Sequence, residues 1–119
     1  KVGVYNIATG KTIFLQTTGE KDHYLTNLAW GPEEKFIYIA EVNRDQNHVW
    51  HNKYDANTGK FISTLFEEES KEWAEPEHPA EFIPGKTNEF LWFSERDGFM
   101  NLYHYSTDGK LISPVYKLL

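Results

Sequence analysis

Five histidines and a dense run of glutamates are the side chains in this 119-residue sequence whose types suit chemistry. His48-Val49-Trp50-His51 holds two of the histidines, and the others are His23, His78 and His104. A metal ion needs ligands that converge on one point. On a strand, residues three apart project to opposite faces, so His48 and His51 are not expected to share an ion; they read as turn and edge residues. Cysteine is absent, which removes thiolate ligands and disulfides alike. Ser63, Ser70, Ser94, Ser106 and Ser113 lack the Gly-x-Ser-x-Gly elbow of a hydrolase nucleophile. The eight glycines are scattered singly, so no phosphate-cradling loop is present. Neither a cofactor nor catalysis by this segment is expected.

Carboxylates concentrate between Glu67 and Glu81, where Glu67, Glu68, Glu69, Glu72, Glu75, Glu77 and Glu81 face only Lys71. Such a run reads as a solvated loop. Its second half, Trp73-Ala74-Glu75-Pro76-Glu77-His78-Pro79, joins an aromatic ring and two carboxylates to prolines that fix the backbone. A loop of this kind suits a cation or a substrate amine, so Trp73, Glu75, Glu77 and His78 are candidate pocket residues. Asn43, Arg44 and Asp45, followed by Gln46-Asn47, form a second polar stretch with a structural part to play, since such side chains bond neighbouring backbone.

The elements that carry these residues read as strands. Phe90-Leu91-Trp92-Phe93 and the run from Phe99 to Tyr105 flank Arg96-Asp97-Gly98, a hairpin turn in which Asp97-Gly98 tolerates positive φ. Aromatic residues make up 16% of the chain and the formal net charge is -6, a composition that folds rather than one that stays disordered. The acidic balance argues against nucleic acid as a partner, and no apolar run is long enough to span a membrane as a helix. The chain opens on Lys1-Val2-Gly3-Val4, already strand-like, as expected of a piece of something longer.

One phrase occurs three times. Val4-Tyr5-Asn6-Ile7-Ala8-Thr9-Gly10-Lys11-Thr12-Ile13 resembles Asn52-Lys53-Tyr54-Asp55-Ala56-Asn57-Thr58-Gly59-Lys60-Phe61-Ile62, and both resemble Leu102-Tyr103-His104-Tyr105-Ser106-Thr107-Asp108-Gly109-Lys110-Leu111-Ile112. The period is about 50 residues. Strands are expected near residues 2–7, 11–16, 26–30, 35–42, 47–54, 60–66, 80–83, 89–95, 99–105 and 110–115. Four antiparallel strands per repeat of this length mark propeller blades. The expected fold is all-β: about two and a half four-stranded blades of an incomplete β-propeller. Residues 1–18 would form the C-terminal half of one blade, 19–67 a second, and 68–119 a third with an acidic entry loop. The alternative is a single sandwich built from a duplicated hairpin. Exposed first and last sheets lead one to expect self-association, by edge pairing or by packing of blade faces.

The chain resembles part of the N-terminal β-propeller of bacterial dipeptidyl peptidase IV, in the prolyl oligopeptidase family of serine peptidases. The resemblance runs from Asp22 to Ile112. Its carriers are Asp22-His23-Tyr24-Leu25 with Trp30, Asn43-Arg44-Asp45-Gln46-Asn47, Asp55 with Thr58-Gly59, Glu72-Trp73 with Pro79 and Phe82, and Ser94-Glu95-Arg96-Asp97-Gly98 with Leu102-Tyr103 and Tyr105. It implies an exopeptidase that removes N-terminal dipeptides with proline or alanine second, whose Ser, Asp and His lie in an α/β-hydrolase domain not present here. The propeller would gate and position the peptide substrate. The family's paired glutamates, which hold the substrate's α-amino group, would fall before Lys1, so neither Glu33-Glu34 nor Glu67-Glu68-Glu69 corresponds to them. In some members the loop after the tryptophan brings an arginine toward the pocket; Trp73-Ala74-Glu75-Pro76-Glu77 has none. The implied partners are the remaining blades and the hydrolase domain, and the implied location is periplasmic or secreted. The rival reading is a binding propeller without any hydrolase.

Overall fold

The computed structural model describes residues 2–17, 24–69, 79–94 and 101–117. Ten strands account for most of them: β1 (Gly3–Asn6), β2 (Lys11–Phe14), β3 (Tyr24–Trp30), β4 (Phe36–Val42), β5 (His48–Asp55), β6 (Phe61–Glu69), β7 (Glu81–Phe82), β8 (Glu89–Ser94), β9 (Asn101–Ser106) and β10 (Leu111–Lys117). They form three antiparallel sheets, ordered β1-β2, β3-β4-β5-β6 and β10-β9-β8-β7. Every pairing joins strands adjacent in sequence, because short turns let each strand fold back on the one before it. The result is two and a half blades of an incomplete β-propeller.

Two separate cores show why a single sandwich is the wrong description. Leu15, Ile37, Ile39, Tyr54 and Ala56 are buried between the first and second sheets. Tyr38, Ala40, Val42, Val49, Leu65, Phe90, Trp92, Tyr103 and Tyr105 are buried between the second and third. The middle sheet is covered on both faces, and β4 is accordingly apolar at nearly every position. Alternation along the strand sends Ile37 and Ile39 to one core and Tyr38 and Ala40 to the other.

The outer hairpins share one construction. In the first, Asn6 Oδ1 accepts from the amides of Ala8 and Thr9 at 2.9 and 3.2 Å. In the second, Asp55 Oδ1 accepts from those of Asn57 and Thr58 at 2.7 and 3.0 Å. Gly59 and Gly109 close their turns at φ of 78° and 90°. Each also lies against the preceding sheet: a Cβ on Gly59 would stand 2.2 Å from the Phe14 carbonyl oxygen, and one on Gly109 would stand 2.5 Å from that of Leu65. Only glycine satisfies both the backbone angle and the approach. The Gln16 amide donates to the Gly59 carbonyl at 2.7 Å and ties the first sheet to the second.

Two sequence expectations change. Glu67, Glu68 and Glu69 are not loop: β6 runs on to Glu69, held by the β5 pairings Trp50 with Glu67, Val49 with Glu68 and His48 with Glu69. His51 is neither a turn nor an edge histidine, because β5 is a central strand and its register places His51 opposite Ala40 in the core. Smaller differences lie at strand ends, with β3 starting at Tyr24 rather than near 26.

Candidate functional site

Polar and aromatic side chains gather at the sheet end formed by the start of β5 and the ends of β4, β6 and β8. Asn43 builds the β4–β5 turn there. Its Oδ1 accepts from the amides of Asn47 and His48 at 3.0 and 3.1 Å, and its Nδ2 donates to Asn47 Oδ1 at 2.7 Å. The Gln46 amide donates to the Asn43 carbonyl at 2.9 Å, with Arg44 and Asp45 between them. Gln46 takes a φ of 57°, completing the reversal.

This turn sets His48 at the first position of β5, across from the end of β6. Its Nε2 lies 2.9 Å from Glu67 Oε1 and its Nδ1 lies 2.7 Å from Glu69 Oε1. Glu67 and Glu69 meet the same imidazole because residues two apart on a strand share a face. A protonated imidazole donates to both carboxylates, a neutral one to a single carboxylate. The Trp50 ring stacks on His48, with centroids 3.9 Å apart.

Glu68, between them, points to the other face and reaches the third sheet. The indole Nε1 of Trp92 donates to its Oε1 at 2.9 Å, and the Ser94 hydroxyl donates to its Oε2 at 2.9 Å. The Ser94 hydroxyl thus bonds a carboxylate across the two sheets. On the middle sheet, Asn52 Nδ2 donates to Glu41 Oε2 at 3.1 Å while Thr64 Oγ1 donates to Asn52 Oδ1 at 2.8 Å, a polar chain across β4, β5 and β6.

His51 behaves as an aromatic core residue. It is fully buried, with ring centroids of Trp92, Phe66 and Phe90 at 4.4, 4.9 and 5.5 Å. Neither ring nitrogen has a hydrogen-bond partner among the described residues. Burial penalises the charged ring and pushes its pKa down to about 3. In the third sheet, Glu89 meets His104 Nε2 at 2.6 Å and Lys86 Nζ at 3.3 Å. Desolvation raises its pKa, but hydrogen bonds from Lys86 and His104 outweigh this and hold the carboxyl below its ordinary value.

An open groove of about 420 Å³ lies at the opposite end, with Tyr5, Asn6, Lys11, Trp30, Glu34 and Asn57 in its lining. Among the described residues, no histidine or serine borders it. Among the described residues, no three histidine, aspartate or glutamate side chains are placed to hold a metal ion.

Of the residues singled out from sequence, Asn43, Arg44 and Asp45 occupy the β4–β5 turn. Trp73, Glu75, Glu77 and His78, and the Arg96-Asp97-Gly98 turn, lie outside the described residues. The cluster of His48, Trp50, Glu67, Glu68, Glu69, Trp92 and Ser94 was not anticipated as a unit. The one available signal was the histidine–tryptophan and triple-glutamate runs on consecutive strands, where antiparallel pairing brings them opposite one another.

The model for the dipeptidyl peptidase IV (DPP IV) N-terminal region matches residues 1–117. A crystal structure from Bacteroides ovatus ATCC 8483, assigned as a dipeptidyl aminopeptidase IV, is 43% identical, with a TM-score of 0.85 over 88% of this chain and 15% of that one. Porphyromonas gingivalis dipeptidyl peptidase 4 is similar in fold, with a TM-score of 0.82 at 19% identity over 98% of this chain and 16% of that one. The chain therefore spans about a sixth of the length of either structure.

Proposed function

The chain belongs to the dipeptidyl peptidase IV N-terminal region family, and on that premise we propose that it supplies blades to the propeller of a larger serine exopeptidase. That enzyme removes Xaa-Pro or Xaa-Ala dipeptides from free N-termini, using a Ser-His-Asp triad in an α/β-hydrolase domain outside these residues. The match across residues 1–117 carries this reading, and the 43% identity to the Bacteroides ovatus structure supports it. The blades act by exclusion and placement. They limit which peptides reach the hydrolase domain, and they orient a chain terminus so that the reacting carbonyl meets the nucleophile in a productive pose.

Within the segment, Trp73, Glu75, Glu77 and His78 are the proposed substrate-facing residues, with Asn43 and its turn as support. Carboxylates near the pocket attract a protonated peptide amine, a steering role that weakens with salt. The remaining blades and the hydrolase domain are its partners, and the periplasm or the cell exterior its location.

The test is hydrolysis of a chromogenic Xaa-Pro amide by the longer protein and by this chain alone. The longer protein is expected to release dipeptides and the chain to release none. Turnover by the chain, or inactivity of a longer protein that carries an intact Gly-x-Ser-x-Gly elbow, overturns the proposal.

A further inference from the structure

One strand breaks its own ladder at a residue that neither core accounts for. Among the described residues, Asn27 is the only one inside a strand with a positive φ, 53°; the others lie in the connections between strands. The break is a β-bulge. Thr26 pairs with Ala40 and Ala29 with Tyr38, so Asn27 and Leu28 together face Ile39 alone. The first residue of a bulge with left-handed backbone is ordinarily glycine, as Gly10, Gly59, Gly85 and Gly109 are in the turns. Asparagine tolerates that backbone better than other side chains but less well than glycine. β3 therefore keeps an amide where the bend itself asks for no side chain. Packing does not supply the reason, since Asn27 is half-buried and belongs to neither hydrophobic cluster.

Its place in the blade supplies one. β3 is the edge strand opposite β6. Since β5–β6 is the outer hairpin, β3 stands at the inner edge, along the channel that the blades of a propeller surround. On the side away from β4, its backbone has no ladder partner among the described residues. A bulge at such an edge re-aims a side chain and interrupts further strand pairing. In the third sheet the corresponding strand, β7, is only Glu81–Phe82 and carries no such bulge.

We propose that Asn27 contacts the backbone of a peptide substrate in the propeller channel, beyond the dipeptide that is released. This rests on the exopeptidase reading above. Such an enzyme holds two residues on the acyl side of the cut, and the rest of the peptide extends away from the triad. The Asn27 side chain accepts a peptide N–H through Oδ1 and donates to a peptide carbonyl through Nδ2. That contact reads backbone and not side chains, so it favours longer peptides without selecting their sequence. It is a binding contact made equally in the ground and transition states, which places its effect in KM and leaves kcat unchanged.

The test uses the longer protein with two substrates, a chromogenic Xaa-Pro amide and an Xaa-Pro peptide of about ten residues, which reaches about 35 Å when extended. Asn27→Gly keeps the left-handed backbone, so its melting temperature should stay within about 2 °C of the wild type. KM for the long peptide is expected to rise at least about threefold at unchanged kcat, and both constants for the chromogenic amide to stay the same. Asn27→Asp, which keeps the acceptor and loses the donor, should fall between Asn27→Gly and the wild type. Unchanged KM for the long peptide in Asn27→Gly overturns the proposal. So does an equal rise for both substrates, or a loss of activity that follows a lowered melting temperature, because either makes the residue structural. A wild type that cleaves neither substrate overturns the exopeptidase reading itself, and this contact with it.

Discussion

The carboxylate of Glu68 crosses from the second sheet to the third and accepts the indole proton of Trp92, a residue only 1% exposed, at 2.9 Å. The bond matters because an indole N–H buried without an acceptor costs about 1–3 kcal/mol. Glu68→Ala should therefore destabilise the chain by about 1–3 kcal/mol. Glu68→Gln, which keeps an acceptor oxygen, should cost less. Chemical denaturation of both variants checks this, and equal losses would show that the carboxylate does not serve as the acceptor.

Acid stability should depend on His51. Its pKa is depressed from 6.5 to about 3 by burial, so the unfolded chain takes up a proton that the folded chain refuses. Stability from this group is complete above about pH 6.5 and is lost progressively as the pH falls to about 3. Each pH unit in that window changes the unfolding equilibrium by up to about tenfold. His51→Phe, which keeps a ring of similar size, should flatten the profile between these limits. Parallel profiles for the two proteins would show that another group governs it.

The glycine seams can be compared with an open turn. A methyl group on Gly59 meets the Phe14 carbonyl at 2.2 Å, whereas one on Gly85, at a similar φ of 81°, meets nothing within 4 Å among the described residues. Gly85→Ala should cost about 1 kcal/mol through backbone strain alone. Gly59→Ala adds a backbone clash and should cost at least about twice that. Thermal melts of the pair isolate the packing contribution.

His48 should prove weak by comparison. Its partners are Glu67 and Glu69, whose side chains are 54% and 75% exposed, so water competes with these contacts and salt screens them whenever the ring is protonated. His48→Ala should cost no more than about 1–2 kcal/mol, including the Trp50 stack. The difference from wild type should narrow in 1 M salt, where the Debye length falls to about 3 Å. A salt-independent loss would place the whole effect in the stack.

The strands and turns were legible in the sequence because both carry local signals. Aromatic arms flank Asx and glycine turns, and the phrase around Tyr5, Tyr54 and Tyr105 fixes the period. Glu67, Glu68 and Glu69 were not legible as strand, since glutamate has low strand preference and their partners, His48, Trp92 and Ser94, lie about 20 residues or more away in sequence. The burial of His51 was hidden for a related reason: histidine is ordinarily a polar residue, and only the Ala40 pairing reveals that it faces the core. The seams leave even less trace. A glycine needed for its turn looks the same whether or not a carbonyl from an earlier repeat sits against it.

Three like residues in a row make β6 intolerant of slippage. Moved by one position, the strand would turn Glu67 and Glu69 toward Trp92 and Ser94, crowding two negative charges where one is accommodated, and would leave His48 facing Glu68 alone. An inserted or deleted residue in this strand is thus opposed by charge as well as by the misplaced Leu65. The triple glutamate, unremarkable as composition, works as a ratchet on the alignment of the central sheet.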